Sequence, residues 1–514
     1  MIAHNLGYPR IGNNRELKKA SEQYWSGAIS QQKLQDTAKA IRSQNWLTQQ
    51  AAGLDLIPCN DFSFYDHVLD MSYMLGLIPE RFSPLLQKNA TELDIYFAMA
   101  RGYQKDGLDI TAMEMTKWFD TNYHYIVPEF RKDQKSSVIS EKVIREYVEA
   151  KEVVGTAAKP VLLGPVSYLL AGKEKEAGFK RIELLDNLLP VYIELLKKLE
   201  AKGAQWIQLD EPFLVMDLNT EERAAYTKTY EKLAKEFPAL KFIVATYFEC
   251  TGTNIDIASA LPVHALHLDL VRCPSQLTDI LTPSFIASKT TLSLGVIDGR
   301  NVWKNDFTKS NAFIQQAIQA IGEARVMIAP SSSLLHVPCD LENEHNEQVL
   351  TKEIKNWMAF AKQKLEEVST LKKLTAGSIS ATDFALLNSN KAAIENRNTS
   401  TLIHKKHVKE RVQHVTAKDS QRLVTFDLRQ QIQAKALKLP FLPTTTIGSF
   451  PQTDEVRANR AKYKKGDITL AQYEDFVREE MTKAIHWQEK VGIDVLVHGE
   501  FERNDMVEYF GEQL

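Results

Sequence analysis

Polar side chains able to do chemistry gather where apolar runs end: Asp61, Lys117, Asp210 with Glu211, Thr246, Asp269, Asp298 with Arg300, and Ser331–Ser333. Lys117 is the sharpest of them, because a lysine closing a buried strand is unusual. It could hold an anion, or pair with Asp61 or Glu114. Asp210-Glu211 looks like a hydrolase carboxylate pair. Adjacent strand residues point to opposite faces, however, whereas a glycosidase needs its carboxyls facing one another ~5 to 9.5 Å apart. His336-Val-Pro-Cys339 offers half of a zinc site, but two donors without partners at ligand spacing are more often structural. None of these groups is assigned a catalytic or metal-binding role.

The apolar runs carrying these groups predict eight strands: Leu54–Cys59, Met113–Trp118, Pro160–Val166, Trp206–Leu209, Phe242–Tyr247, Ala265–Leu270, Thr291–Ile297 and Val326–Ala329. They are largely apolar and several are β-branched, as parallel strands buried on both faces are. Helical patterns lie between them, most clearly Glu183–Lys202 with its leucine stripe and Gly203 placed to stop it. Eight strands alternating with helices predict an α/β fold, a (β/α)8 TIM barrel over residues 1–367, with the polar strand ends collected at one mouth. The competing arrangement is an open doubly wound sheet, but no Gly-rich dinucleotide fingerprint follows any strand.

Residues 368–439 read as a basic helical linker, with helical periodicity over Thr382–Ile394 and Leu428–Leu437. Its Lys and Arg residues come with few aromatics, which disfavours a nucleic-acid arm. A second module follows over 440–514, and it echoes the first. Gly27/Gly466, Gly53/Gly492 and Asp61/Glu500 are each separated by 439 residues, and Leu6-Gly-Tyr-Pro recurs as Ile447-Gly-Ser-Phe-Pro. So long an offset means two related domains rather than a solenoid. The second copy has 13 residues after Phe501, the opening of a barrel and no more.

With 63 basic against 66 acidic residues, the net charge of −3 creates no field that draws the chain to nucleic acid or membrane. The N-terminus lacks the pattern of a signal peptide, and no apolar run reaches the ~18 residues that span a bilayer. Cys59, Cys250, Cys273 and Cys339 form neither a CxxC pair nor a dense framework, so four reduced thiols and a cytoplasmic location are expected.

Several segments together carry a resemblance: Gly7-Tyr-Pro-Arg-Ile-Gly with Arg15-Glu-Leu-Lys18, Thr116-Lys-Trp-Phe119, Lys159-Pro-Val-Leu-Leu-Gly-Pro165, Leu209-Asp-Glu-Pro212, Ser333-Leu-Leu-His-Val-Pro338, Thr446-Ile-Gly-Ser-Phe-Pro451 and His498-Gly-Glu-Phe-Glu-Arg-Asn-Asp-Met-Val-Glu-Tyr-Phe-Gly511. In them the chain resembles the cobalamin-independent methionine synthases. The resemblance implies two (β/α)8 barrels and methyl transfer from 5-methyltetrahydropteroyltri-L-glutamate to L-homocysteine, giving L-methionine. It implies zinc and no cobalamin, a cytoplasmic monomer, and no nucleic-acid or membrane partner. The family's zinc ligands (a His, two Cys and a Glu) and its acidic His fall beyond the counterpart of Leu514. The 514-residue chain is therefore expected to be C-terminally truncated and inactive alone.

The same resemblance places Arg15, Glu16, Leu17, Lys18 and Lys117 at the folate. A triglutamate tail carries several carboxylates with which Arg15, Lys18 and Lys117 could pair. On composition alone, Arg15 and Lys18 read as an ordinary solvated helix face. Ile447, Gly448, Ser449 and Glu500 match the residues that hold homocysteine or methionine. Glycine permits close main-chain approach, Ser449 can donate to a carboxylate, and Glu500 can accept from an α-ammonium; Glu500 could equally be the ion-pair partner of Arg503. The alternatives are a non-catalytic folate-binding or scaffold barrel, and an unrelated barrel hydrolase.

Overall fold

A computed structural model describes residues 1–88, 90–375 and 379–513, so Leu514 and residues 376–378 of the expected linker lie outside the described residues. The chain divides into two compact units, Met1–His404 and Lys405–Leu514.

The first unit is built on a curled sheet of eight parallel strands. In the sequence they are β1 (Ile2–Ala3), β2 (Ile57–Cys59), β5 (Ala158–Leu163), β6 (Trp206–Asp210), β7 (Lys241–Ala245), β8 (Ala265–Asp269), β9 (Thr291–Ile297) and β10 (Val326–Pro330). From β2 onward each pairs with the next strand of this set, and β10 pairs with β1. The two ends of the sheet meet where His4 bridges Leu56 and the Asp55 amide donates to the Ala3 carbonyl at 2.8 Å. The curled, barrel-like sheet of eight parallel strands carries one substitution among the expected strands. Residues 113–118 do not enter the sheet. Their core, β3 (Met115–Lys117), instead pairs antiparallel with β4 (His124–Ile126) in a hairpin. The eighth place belongs to β1, too short to stand out as an apolar run.

Outward residues of these strands, such as Leu209, Leu266, Leu268, Leu292 and Leu294, pack with the surrounding helices in one large core. The interior is layered. Leu56, Ile243, Ala265 and Met327 form an apolar floor with Ile2 and Trp206 against it. Above it sits a polar layer of His4, Lys159, Gln208, His267 and Ser293, all fully buried. Helix α3 (Ala361–Leu374) closes the ring from outside, with Val368 and Leu371 in the core and Lys372 paired to Asp55 at 2.7 Å.

The cysteines depart from expectation. Cys250 and Cys273 form a disulfide with a Cα–Cα separation of 5.1 Å, and Cys59 and Cys339 are free. Parallel pairing of β7 with β8 brings the two following loops side by side, a proximity that a sequence separation of 23 conceals. The denatured but unreduced chain is expected to titrate two thiols, and four after reduction. Four before reduction would remove the bond.

Candidate functional site: a cationic groove and a second strand end

The first candidate segment begins at a strained turn. Arg15 has φ 62° and ψ 36° and precedes helix α1 (Glu16–Trp25) without a side-chain cap. A left-handed conformation costs a non-glycine residue about 1–2 kcal/mol, and such strain tends to be kept where it serves a site. The four expected folate residues then divide by role. Arg15 is exposed and, among the described residues, its guanidinium makes no ion pair. Glu16 turns back to accept from the Asn14 amide at 2.9 Å, closing the turn. Leu17 is buried against Ala38, Ile41 and Phe62, fixing α1 to helix α2 (Gln31–Ala51). Lys18 is exposed, with Glu22 3.8 Å away; an exposed pair of this kind contributes little.

Lys117 is corrected from a buried strand end to an exposed position on the β3–β4 hairpin. It pairs with neither expected acid. Glu114 is taken by Lys173 at 2.6 Å, and Asp61 accepts from the Tyr8 amide at 2.8 Å. Opposite Lys117 in the hairpin stands His124. Met115, on the same strand face as Lys117, and His124 both line an open groove of about 460 Å³ with Leu17, Lys18, Arg10 and Trp25. The structure thus brings Lys18 and the face carrying Lys117 to one groove, while Glu16 lines a different cleft beside Asp340 and Lys362.

The hairpin is latched over the barrel mouth. Asp120, in its turn, pairs with Arg300 at 2.7 Å and Arg272 at 2.9 Å. Trp118 is buried edge-on against Tyr125 and His67, and Phe119, at φ 52°, packs on Phe213 and Phe248. His336 lies edge-on to Tyr123 and Phe248, and Cys339 Sγ faces the Gly12 carbonyl. What remains of the mouth is a cavity of about 50 Å³ lined by Asp61, His67, Asp210, Tyr247 and His336 among others.

Beneath that cavity the polar groups satisfy one another. Lys159 Nζ donates to the Asn5 carbonyl (2.8 Å) and Gln208 Oε1 (2.5 Å), and lies 3.1 Å from His4 Nδ1. An ammonium has only donors, so His4 accepts at Nδ1 and donates from Nε2 to Ser293 Oγ at 2.7 Å. Ser293 then donates to His267 Nδ1, whose Nε2 donates to the Ser331 carbonyl. Burial drives Lys159 down to about 7 and His267 down to about 3, and lowers His4, so both rings are neutral as this chain requires. Asp210 and Glu211 do diverge. Asp210 accepts from Gln208 and Tyr247 inside the ring, whereas Glu211 accepts from the Ser167 amide and Tyr230 among the helices. They do not form a dyad. Sequence reasoning passed over Lys159 and Arg10, although both stand in segments it singled out; a lysine one residue into a buried apolar run was the available signal.

The second unit repeats the opening of the first in its hydrogen bonds. Thr444 N donates to Asp494 Oδ2 at 2.8 Å as Ala3 N donates to Asp55 Oδ2 at 2.6 Å. Thr445 bridges Val495 in parallel as His4 bridges Leu56, and Ser449 bridges Gly499. Helices α4 (Asp454–Lys465) and α5 (Leu470–Val491) connect the two segments and bury Val456, Val477, Ala484 and Phe501. Gly448, at φ 117°, packs against Glu500: a Cβ there would lie 2.9 Å from Oε1. Ile447 and Ser449 are exposed on either side. Glu500 is paired with Arg503 at 2.5 Å, which holds its carboxylate in place. All four expected residues therefore meet at one strand end. Among the described residues, no three His, Cys, Asp or Glu side chains come together to hold a metal ion, so zinc fits no site here.

A family described as "Cobalamin-independent synthase, N-terminal domain" matches residues 2–322, and "Cobalamin-independent synthase, Catalytic domain" matches residues 442–514. The chain is 78% identical over its whole length to a 5-methyltetrahydropteroyltriglutamate–homocysteine methyltransferase of Cytophaga hutchinsonii, of which it covers 66%. It is 47% identical, over 99% of its length, to the protein of that name from Saccharomyces cerevisiae, again covering 66%. It thus spans somewhat less than two thirds of the length of these relatives. A crystal structure of a putative vitamin-B12 independent methionine synthase from Listeria monocytogenes aligns over 74% of this chain and 98% of its own, with a TM-score of 0.48 and 14% identity.

Proposed function

Because the chain belongs to the cobalamin-independent synthase family, we propose that it serves methyl transfer from 5-methyltetrahydropteroyltri-L-glutamate to L-homocysteine, giving L-methionine. Its part is to hold the two substrates. The observation that carries this reading is the groove: Lys18 lines it, Lys117 stands on the strand whose Met115 lines it, and Arg15 immediately precedes the helix that carries Lys18; the nearest carboxylate paired with any of the three is the exposed Glu22, 3.8 Å from Lys18. Exposed cations with little or no pairing suit a tail bearing several carboxylates. Ile447, Gly448, Ser449 and Glu500 would receive the amino-acid end of homocysteine or methionine, with the Ser449 hydroxyl toward the carboxylate and Glu500 toward the ammonium.

The donor nitrogen is a poor leaving group and needs a general acid, and the acceptor must react as a thiolate. In the family zinc supplies the thiolate; no described residues here fit it, and no step is assigned to it. We place a first barrel at 1–367, its closing helix running on to Leu374, a linker over 368–439, and the start of a second, homologous barrel at 440–514. The repeated Asp55/Asp494 hydrogen bonds support the homology. We further propose a cytoplasmic monomer acting on these small molecules; no helix among the described residues is long and apolar enough to cross a membrane.

Calorimetric titration tests the groove. The triglutamyl folate is expected to bind more tightly than the monoglutamyl form, with an affinity that falls as salt rises. Replacing Arg15, Lys18 and Lys117 together by Gln should weaken the triglutamyl form at least ~10-fold, since each charge-assisted bond contributes ~1.5–3 kcal/mol, and leave the monoglutamyl form closer to its original affinity. Equal binding of both forms by the unaltered chain would defeat the reading. The 514-residue chain alone is expected to form no methionine and to hold no stoichiometric zinc; metal analysis beside a methyl-transfer assay checks both.

A further inference from the structure

We propose that Arg10 is a further anion-binding residue, clamping a glutamyl carboxylate at the inner end of the groove; this rests on the folate reading above. Arg10 follows β1 in the Gly7-Tyr-Pro-Arg segment and is half-buried. Its Nη1 donates to the Ser63 carbonyl at 2.6 Å, and its guanidinium lies 5.4 Å from the centroid of the Tyr123 ring. The side chain is therefore held in one orientation before any ligand arrives.

Among the described residues no carboxylate pairs with it. The nearby acid, Asp66, is committed elsewhere: Oδ1 accepts from the Val68 and Leu69 amides and Oδ2 from the Ile126 amide. A half-buried guanidinium without a counter-ion is costly, and buried charges are ordinarily paired. A guanidinium has five N–H donors in a fork matched to a carboxylate, and only one is engaged here.

Its place in the groove fits a ligand that runs inward. Arg10 lines the same groove as Lys18, and Tyr123 and Leu335 line both this groove and the cavity of the barrel mouth. Arg10 thus stands where the two meet. Ser21 and Trp25 line the same groove. A polyglutamyl tail bound along it would place one carboxylate at Arg10 and others toward Lys18 and Lys117.

Titration of oligo-γ-glutamates of increasing length, with inorganic phosphate as a control anion, tests the assignment. Affinity of the unaltered chain should rise with length. Arg10→Gln should lower triglutamate affinity roughly 10- to 100-fold, as expected for losing a charge-assisted bidentate contact, with Arg10→Lys restoring only part of it. Independently of any variant, triglutamate should protect Arg10 of the unaltered chain from modification by phenylglyoxal, read by peptide mass spectrometry. Binding by the unaltered chain with no loss in Arg10→Gln, or no protection of Arg10, overturns the assignment. No binding of any oligoglutamate instead removes the folate reading on which it rests. Phosphate binding as tightly as triglutamate in an Arg10-dependent way overturns the glutamyl specificity.

Discussion

Replacing Lys159 with Met is expected to destabilise the first compact unit by about 3–5 kcal/mol, the range for breaking a buried charged network by removing one partner. Methionine fills much of the lysine volume, so the loss is of hydrogen bonds rather than packing. The Asn5 carbonyl, Gln208 Oε1 and His4 Nδ1 would all lose their donor in a layer without solvent access. Each unsatisfied buried acceptor costs about 1–3 kcal/mol. The His4–Ser293–His267 relay also loses the group that fixes its direction, so the effect should spread beyond one strand. Urea unfolding followed by tryptophan fluorescence reads the change, because six of the seven tryptophans lie in residues 1–404. A loss below about 1 kcal/mol would mean that water replaces the ammonium, and that the layer is wetter than its contacts indicate.

The same layer explains what sequence reading reached and what it missed. Seven strands were legible, since parallel strands buried on both faces must be apolar throughout. Residues 113–118 gave the same impression for a different reason. There an exposed face, Met115 and Lys117, alternates with an inner one ending at buried Trp118, which is the signature of a half-buried antiparallel hairpin. The true eighth strand, Ile2–Ala3, is specified by pairing with Met327 and Ile328, more than 300 residues away, and no local pattern encodes that. Arg10 and Lys159 were hidden because a charge's role depends on which partners the fold denies or supplies. The echo between the two segments has a counterpart in hydrogen bonding. Its paired aspartates, Asp55 and Asp494, each cap an entering strand, so an exact sequence offset marks a shared hydrogen bond.

Glu211→Gln should change how stability depends on pH. Burial pushes the Glu211 carboxyl up to about 7, against an ordinary 4.5, and the bonds from Ser167 and Tyr230 only partly offset this. Between those values the folded protein holds a proton that the unfolded chain has released. The stabilising contribution of the protonated carboxyl is thus fully present below pH 4.5 and lost as pH rises through about 7. Glutamine stays neutral throughout and matches the protonated form. The variant should resemble the parent near pH 4 and exceed it above pH 7, by up to about 3 kcal/mol given 1.36 kcal/mol per unit. Urea midpoints measured from pH 4 to 8.5 decide the matter, and parallel curves would mean that Glu211 is ionised in the folded protein. The outcome bears on function too. Glu211 lies among helices, and a Cβ at Gly164 would collide with it, which marks tight packing around a structural acid. Its counterpart in interest, Glu500, stands at an open strand end beside exposed Ile447 and Ser449. A neutral Glu211 would be a structural acid held by the Ser167 amide and Tyr230 among the helices, apart from Asp210, which bonds Gln208 and Tyr247.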